Sequence, residues 1–182
     1  MASEIVGELR LLQKRFRERD VLGLKDLAEE LASESFILQE PSLLDLSLVA
    51  YACSKFLEKP YIVTSEDWRD FDANLMRILD QSTMVFKQGR DKDGRALVHT
   101  AIMLVESLSS SLGRFVTSVI EKARIKAGAQ MYAHGASLGQ ASALTGAEKR
   151  SLAEYIGVTK MLDKYSTLSV NERFSNAQRL FS

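Results

Sequence analysis

Four polar side chains near the carboxyl-terminal end of the sequence have types and spacing suited to contacts with nucleic acid. Lys149, Arg150 and Ser151 are consecutive, and Gln140 precedes them in a separate helical pattern. Lys and Arg donate hydrogen bonds to phosphates and guanine edges, Ser can reach either, and Gln can hold the phosphate backbone. We therefore predict that these four residues contact duplex DNA.

The charge of the chain permits this contact without requiring it. The sequence holds 24 basic and 24 acidic residues, yet residues 21–80 carry five basic against twelve acidic ones, and residues 81–182 carry fourteen against eight. A polyanion would be repelled by the first part and tolerated by the second. Glu148 and Glu154 place negative charge beside the candidate contacts, so packing of protein alone stays open as the alternative.

Side chains for catalysis or metal binding are few. The sequence has two histidines and one cysteine, and it contains no HExxH, Walker or glycine-rich dinucleotide motif. Cys53 lies in an apolar helical pattern, which predicts a buried, inert thiol rather than a reactive one. The carboxylates of residues 67, 70 and 72 indicate a solvated face, and His134 indicates a favourable charge near a helix end. We predict no metal, no cofactor and no enzymatic activity.

One pair of residues points to a different class of protein. Arg95 and His99 stand four residues apart, on one face of a helix. They resemble the Arg-x(4–6)-His motif of helical HEPN ribonucleases, although their spacing is one residue shorter. This resemblance implies RNA cleavage if His99 lies in an open, polar cleft. The apolar run around His99, ALVHTAIMLVESL, instead predicts a buried histidine.

The candidate DNA contacts depend on a bend between two short helical patterns within residues 137–157. The patterns meet at Thr145-Gly146, where the chain must leave the first helix, and glycine adopts the positive φ that such an exit requires. Small residues at 141 and 142 allow close approach of the two helices. The spacing predicts a helix-turn-helix unit. Its inward residues would be Leu144, Ala147, Leu152 and Tyr155.

Length and composition predict an all-α protein. The chain has 182 residues, of which 46% are hydrophobic, with only two prolines and ten glycines. The amino-terminal sequence does not have the pattern of a signal peptide, and the longest apolar run, residues 101–105, is far too short to cross a membrane. We expect a cytoplasmic protein without membrane contact.

Apolar periodicity divides the chain into three parts. Residues 1–112 form an N-terminal helical bundle, residues 113–160 a long supporting helix plus the helix-turn-helix, and residues 161–182 a linker and a short amphipathic tail. In the bundle, residues 41–57 are apolar almost all round and predict a central helix. Ile37 or Leu38 should face the core. Residues 90–95 are predicted to form a charged loop and residues 158–169 a linker. Residues 96–134 are predicted to form a long helical region, in which the glycines of positions 113 and 128 mark either bends or close contacts.

The tail has the pattern of a docking segment. Residues Arg173, Phe174, Ala177, Leu180 and Phe181 are the predicted partner contacts. A helix this short is marginal alone in water, so its apolar face needs cover. Docking on its own chain and docking on another chain both stay open.

The run GASLGQASALTGAEKRSLAEYIGVTKM resembles the helix-turn-helix of small prokaryotic, especially archaeal, antitoxin-type proteins. The matching residues are Gly135, Ser137, Leu138, Gly139, Ala141, Leu144, Leu152 and Ile156. The ending NERFSNAQRLF is similar to the tails that such proteins offer to a nuclease toxin of the PIN type. Two features depart from that pattern: Ala141-Ser142 replaces the usual Ala-Ala pair, and the N-terminal helical region is larger.

Together, pattern and resemblance lead to one main hypothesis and two alternatives. The main hypothesis is a non-enzymatic DNA-binding regulator or antitoxin-like adaptor, with double-stranded DNA and a PIN-type nuclease as partners and a homodimer left open. The first alternative is a structural or assembly protein whose helix pair only packs. The second is the HEPN-like ribonuclease.

Overall fold

The computed structural model of the chain describes residues 2–111 and 114–159, and the side chains of residues 4–111 and 119–158. This part of the chain is helical throughout, which confirms the all-α prediction for it, and none of its helices is long and apolar enough to cross a membrane. The helices are α1 (Ala2–Arg17), α2 (Val21–Leu38), α3 (Pro41–Leu57), α4 (Pro60–Val63), α5 (Glu66–Lys87), α6 (Asp91–Ser111), α7 (Arg114–Ala133), α8 (Leu138–Thr145) and α9 (Lys149–Thr159).

Helix α3 is the centre of the bundle, as its apolar sequence predicts. It is buried along most of its circumference and contacts α1, α2, α6 and α7. Pro41 occupies its first turn, where a missing N–H costs nothing, and the Glu40 carboxylate accepts a hydrogen bond from the Ser42 N–H at 3.1 Å. The helix ends ahead of Pro60, because the residue before a proline is disfavoured in helical geometry.

An aromatic cluster joins α1, α3 and α5. Phe16, Phe56, Trp68 and Phe71 are all buried, and their ring centres lie 5.3–6.4 Å apart, in tilted and edge-to-face arrangements. Each fully buried ring contributes about 1.5–3 kcal/mol through the area that it removes from water. The Arg19 guanidinium lies over the Phe16 ring at 5.1 Å and covers the edge of the cluster. Trp68 is therefore a core residue.

The end of α2 corrects one prediction. Ile37 and Leu38 were expected to face the core, but they are 61% and 39% exposed, and Ser35 is buried instead. Leu24, Leu27 and Ser35 belong to one buried face, and a residue two positions past Ser35 is turned by about 200° around the helix. Apolar residues at the tip of α2 therefore point to solvent.

The charged stretch at residues 90–95 is the start of a helix and not a loop, so the loop prediction is wrong. Asp91 and Asp93 lie in the first turn of α6, where carboxylates interact favourably with the helix dipole. Gly94 lies inside the helix, next to the Phe86 ring, which leaves no room for a side chain at this position. A Cβ there would lie 2.7 Å from Cε2 of Phe86. The glycine serves packing rather than turning.

The predicted long region of residues 96–134 contains two helices, α6 and α7; position 113 lies outside the described residues. Helix α6 buries one stripe, with Val98, Ile102 and Val105 on it, whereas Met103 is 54% exposed. The apolar run around His99 is therefore buried on one face only. Helix α7 contacts α2, α3 and α6, and it also contacts α8 and α9. The hydrophobic core is continuous from α1 to α9. The division at residue 112 stays a prediction.

Candidate nucleic-acid interface

The predicted bend at Gly146 is present. Helix α8 starts with a reciprocal cap: the Gln140 N–H donates to Oγ of Ser137, and the Ser137 N–H donates to Oε1 of Gln140. It ends at Gly146, whose φ of 70° is left-handed and whose N–H donates to the Ser142 carbonyl at 2.9 Å. Helix α9 begins three residues later, so residues 138–159 form two helices rather than one rod.

Small residues and one leucine hold α8 and α9 on α7. Ala141 and Leu152 are fully buried. Gly128 of α7 approaches so closely that a Cβ there would lie 3.1 Å from Leu152 and 3.3 Å from Oγ1 of Thr145. That hydroxyl donates to the Ala141 carbonyl at 2.7 Å, which allows a polar residue to be buried at no hydrogen-bonding cost.

The prediction that Leu144 faces inward is wrong. Its side chain is 48% exposed, and Thr145, the next residue, is buried in its place. Neighbouring positions of a helix differ by about 100° of rotation, so only one of these two residues can face the core. Because its hydroxyl is hydrogen-bonded within the helix, Thr145 can take the inward position. Ala147 and Leu152 are buried as predicted, and Tyr155 is half-buried against the core.

Lys149 and Arg150 lie in the first turn of α9 and are exposed. Nε of Arg150 donates to Oε1 of Glu154 at 3.1 Å, and both side chains of this pair are open to solvent, at 85% and 66%. An ion pair this exposed contributes at most about 1 kcal/mol. The guanidinium is therefore held only weakly and can exchange its partner for a phosphate.

Ser151 and Gln140 are more committed to their own chain. The Ser151 hydroxyl donates to a Glu148 carboxylate oxygen at 2.6 Å, and this side chain is half-buried. Gln140 is exposed, but its Oε1 completes the cap of α8. The structure brings Lys149, Arg150 and Ser151 together in one helical turn and places Gln140 at the start of the other helix.

The surroundings of these residues are mildly basic. Residues 119–158 contain five basic and three acidic side chains. On α7, Lys122 is exposed, and Arg124 lies 3.9 Å from a Glu106 carboxylate oxygen. Burial lowers the pKa of Lys126, whose ammonium lies 5.2 Å from the centre of the Tyr51 ring. These cations on α7 were not singled out by the sequence, because their exposure depends on how α7 is oriented.

An apolar groove between α7 and α9 was also missed, because it joins residues far apart in sequence. This α7–α9 groove has a volume of about 430 Å³. Burial raises the pKa of Tyr51 to about 12 and also raises that of Tyr155, as expected for phenols removed from water. The α7–α9 groove is lined by Tyr51, Lys122, Ile125, Lys126, Ser151, Glu154, Tyr155 and Val158.

The expectation of a buried His99 is wrong. Its side chain is 65% exposed, with Nδ1 at 3.3 Å from an Asp45 carboxylate oxygen. Arg95 Nη2 donates to the buried Glu40 carboxylate at 2.9 Å. Both residues therefore tie the start of α6 to α3, and Val98 occupies the buried position between them. The burial that would exclude a ribonuclease site is not found, and this hypothesis stays a prediction.

Within residues 2–111 and 114–159, no three His, Cys, Asp or Glu side chains are grouped so that they could hold a metal ion. Cys53 is buried as predicted, and burial raises the pKa of its thiol. The His134 ring lies just after α7, with Nδ1 at 2.9 Å from the Gln130 carbonyl oxygen. The predicted linker is shorter than expected at its start, because α9 continues to Thr159.

The predicted partner contacts lie outside the described residues. They are Arg173, Phe174, Ala177, Leu180 and Phe181.

No protein-family model matches this chain, and comparisons with curated proteins and with solved structures likewise gave no match. The resemblance to antitoxin-type proteins therefore stays a prediction from sequence.

Proposed function

We propose that the chain binds duplex DNA through α8 and α9, with α9 as the recognition helix of a helix-turn-helix. The observation that carries this proposal is the exposure of Lys149 and Arg150 in the first turn of α9, directly after the left-handed bend at Gly146. In DNA-binding units of this class, residues near the start of the second helix reach the base edges and phosphates.

The start of α9 is favourable for an anion on physical grounds. The first N–H groups of a helix have no partner within the helix, and the helix dipole adds positive potential at the same end. Lys149 and Arg150 add two cationic side chains there. Helix α7 supplies the support, since it contacts both α8 and α9.

The wider proposal is an antitoxin-like adaptor that is not an enzyme. The match of residues 135–156 to the antitoxin helix-turn-helix pattern supports it, as does the similarity of the tail to segments that bind PIN-type nucleases. The protein would then hold DNA with α9 and a nuclease with its tail.

Charge reversal on α9 tests the DNA proposal. We expect the double variant Lys149→Glu and Arg150→Glu to lose retention on duplex DNA at about 50 mM salt. If each residue neutralises one phosphate, the slope of log K against log salt is less steep by about 1.8 in a variant with both side chains neutralised than in the parent chain. Lys87→Glu with Lys92→Glu is the matched control, because both residues are exposed near the α5–α6 turn and the net charge changes equally.

A third variant tests whether the Arg150–Glu154 pair restrains the site. Glu154→Gln removes a negative charge and releases the guanidinium, so we expect tighter DNA binding and an unchanged fold. DNA retention that is equal in the parent, the α9 variant and the control would refute the proposal.

A structural or assembly role is the second candidate, and two contacts favour it. Glu154 and Glu148 accept hydrogen bonds from Arg150 and Ser151, four and three residues apart along the same stretch, so these polar groups already have partners in their own chain. This role predicts no salt-dependent DNA binding and a stable protein complex that is lost when residues 170–182 are deleted.

A further inference from the structure

The α7–α9 groove is open and apolar where the chain leaves α9. Val158, in the last turn of that helix, is 84% exposed, and it lines the groove together with Ile125 and Tyr155. Such an apolar recess beside a well-exposed valine offers apolar area that a further helix could bury. Its position next to Thr159 means that the chain itself continues from the edge of the groove.

We propose that the α7–α9 groove is the docking site for residues 170–181 of the same chain. This inference is independent of the proposed DNA binding, and a nuclease that binds the tail would have to displace it from the groove. The segment carries Val170, Phe174, Ala177 and Phe181, whose spacing of four, three and four residues places them on one helical face. An amphipathic helix that lays such a face into an apolar groove is a common mode of peptide recognition.

The dimensions agree. A helix of residues 170–181 is about 18 Å long, and α9 is about 16 Å long at 1.5 Å per residue. The intervening residues 160–169 span up to about 33 Å when extended, so they reach any point along the groove. The groove volume of about 430 Å³ is within the roughly 300–1,000 Å³ range of pockets that enclose compact ligands, which suits two aromatic side chains.

Charges at the groove are compatible with this occupant. Glu154 is the acidic side chain in the lining, and Arg173 borders the apolar face of the segment. Lys122 and Lys126 lie on the opposite, α7 side of the groove. Glu172 and Arg179 fall on the far face of the segment helix and stay in water.

The tether decides between this segment and the same segment of a second copy. A short flexible connection gives an effective concentration on the order of millimolar, which exceeds a micromolar solution of the protein about a thousandfold. Intramolecular docking therefore prevails unless the geometry forbids it. The docked segment covers Val158 and Tyr155 and leaves Lys149 exposed.

Cysteine alkylation tests the proposal in the full chain. Val158→Cys places a thiol at the mouth of the groove, and Leu144→Cys places one on the exposed face of α8, away from it. Without docking, residue 158 would react faster, since its parent side chain is 84% exposed against 48% for Leu144. With the segment docked, we expect the thiol at residue 158 to react at least about tenfold more slowly than the thiol at residue 144. Each rate is first divided by the rate of the same variant in denaturant. Cys53 is buried and does not interfere.

The tail variants complete the test. Phe174→Asp with Phe181→Asp should restore fast alkylation of Val158→Cys, whereas Ser175→Asp with Asn176→Asp, on the polar face, should leave it slow. Rates should not change over a hundredfold range of protein concentration. Fast alkylation in every variant would overturn the proposal, and so would protection that grows with concentration, because the occupant would then be a second copy.

Discussion

The bend at Gly146 yields the sharpest prediction, since a single methyl group tests it. In Gly146→Ala the new Cβ would lie 3.8 Å from the Arg124 side chain, which is an ordinary contact. Steric conflict with neighbours is therefore absent, and the cost is purely conformational. At a φ of 70°, a residue with a Cβ is less stable by about 1–2 kcal/mol.

Gly157→Ala is the matched comparison. Gly157 lies within α9, it is exposed, and no atom lies within 4 Å of a Cβ built on it. Alanine is favoured over glycine in a helix by about 0.5–1 kcal/mol. The same chemical change is thus predicted to destabilise the protein at residue 146 and to stabilise it at residue 157. Gly146→Asn should cost less than alanine, because asparagine tolerates left-handed geometry.

Thermal unfolding followed by circular dichroism gives the first measurement. A change of 1 kcal/mol shifts the Tm of a chain of this size by about 2–4 °C, so the two alanine variants should separate by several degrees. Hydrogen exchange at the Leu152 amide, which donates to the Glu148 carbonyl, reports on α9 directly. If both alanine variants raise the Tm, the bend is not left-handed in solution, and α8 and α9 do not meet at a tight turn.

Two further predictions concern buried and crowded groups. Cys53 should react with a thiol reagent only after denaturation, because it is fully buried and burial raises its pKa; a fast native reaction would contradict the packing of α3. Burial first, and then the carboxylates of Glu34 and Glu30, raise the pKa of Glu8. The folded state therefore binds this proton more tightly, and stability falls as the pH rises from 4.5 through the folded pKa. Glu8→Gln should be more stable than the parent at pH 7 by a few tenths of a kcal/mol, with no gain at pH 4, in urea titrations where Glu18→Gln is the control.

The sequence predicts the helices best where one apolar face dominates. The stripe of α1 and the stripe of α5 that contains Trp68 are buried as their spacing indicates, and α3 is central because its apolar residues occur on all sides. Gly146 was also predictable, because a chain that ends one short helix and starts another needs left-handed geometry, which glycine adopts most easily.

The sequence-based predictions of burial are wrong where neighbouring residues of a helix are both plausible core residues. In α8, Leu144 and Thr145 lie next to each other, and hydrophobicity alone selects the leucine; the structure buries the threonine because its hydroxyl is satisfied within the helix. His99 lies beside the buried Val98 in an apolar run, and only the periodicity of the whole helix separates them. The α7–α9 groove was beyond local pattern, since Tyr51 and Tyr155 meet only through tertiary packing.

Gly128 has a consequence for how the outer helix could be re-aimed. It is a point of close approach between α7 and α9, and a methyl group there would press Leu152 back by a few tenths of an ångström. Helix α9 is about 16 Å long. If it moves as one unit, a small displacement at Leu152 also shifts the exposed residues of the helix, including Lys149. A buried glycine could thus tune the reach of surface cations without any change to the surface itself.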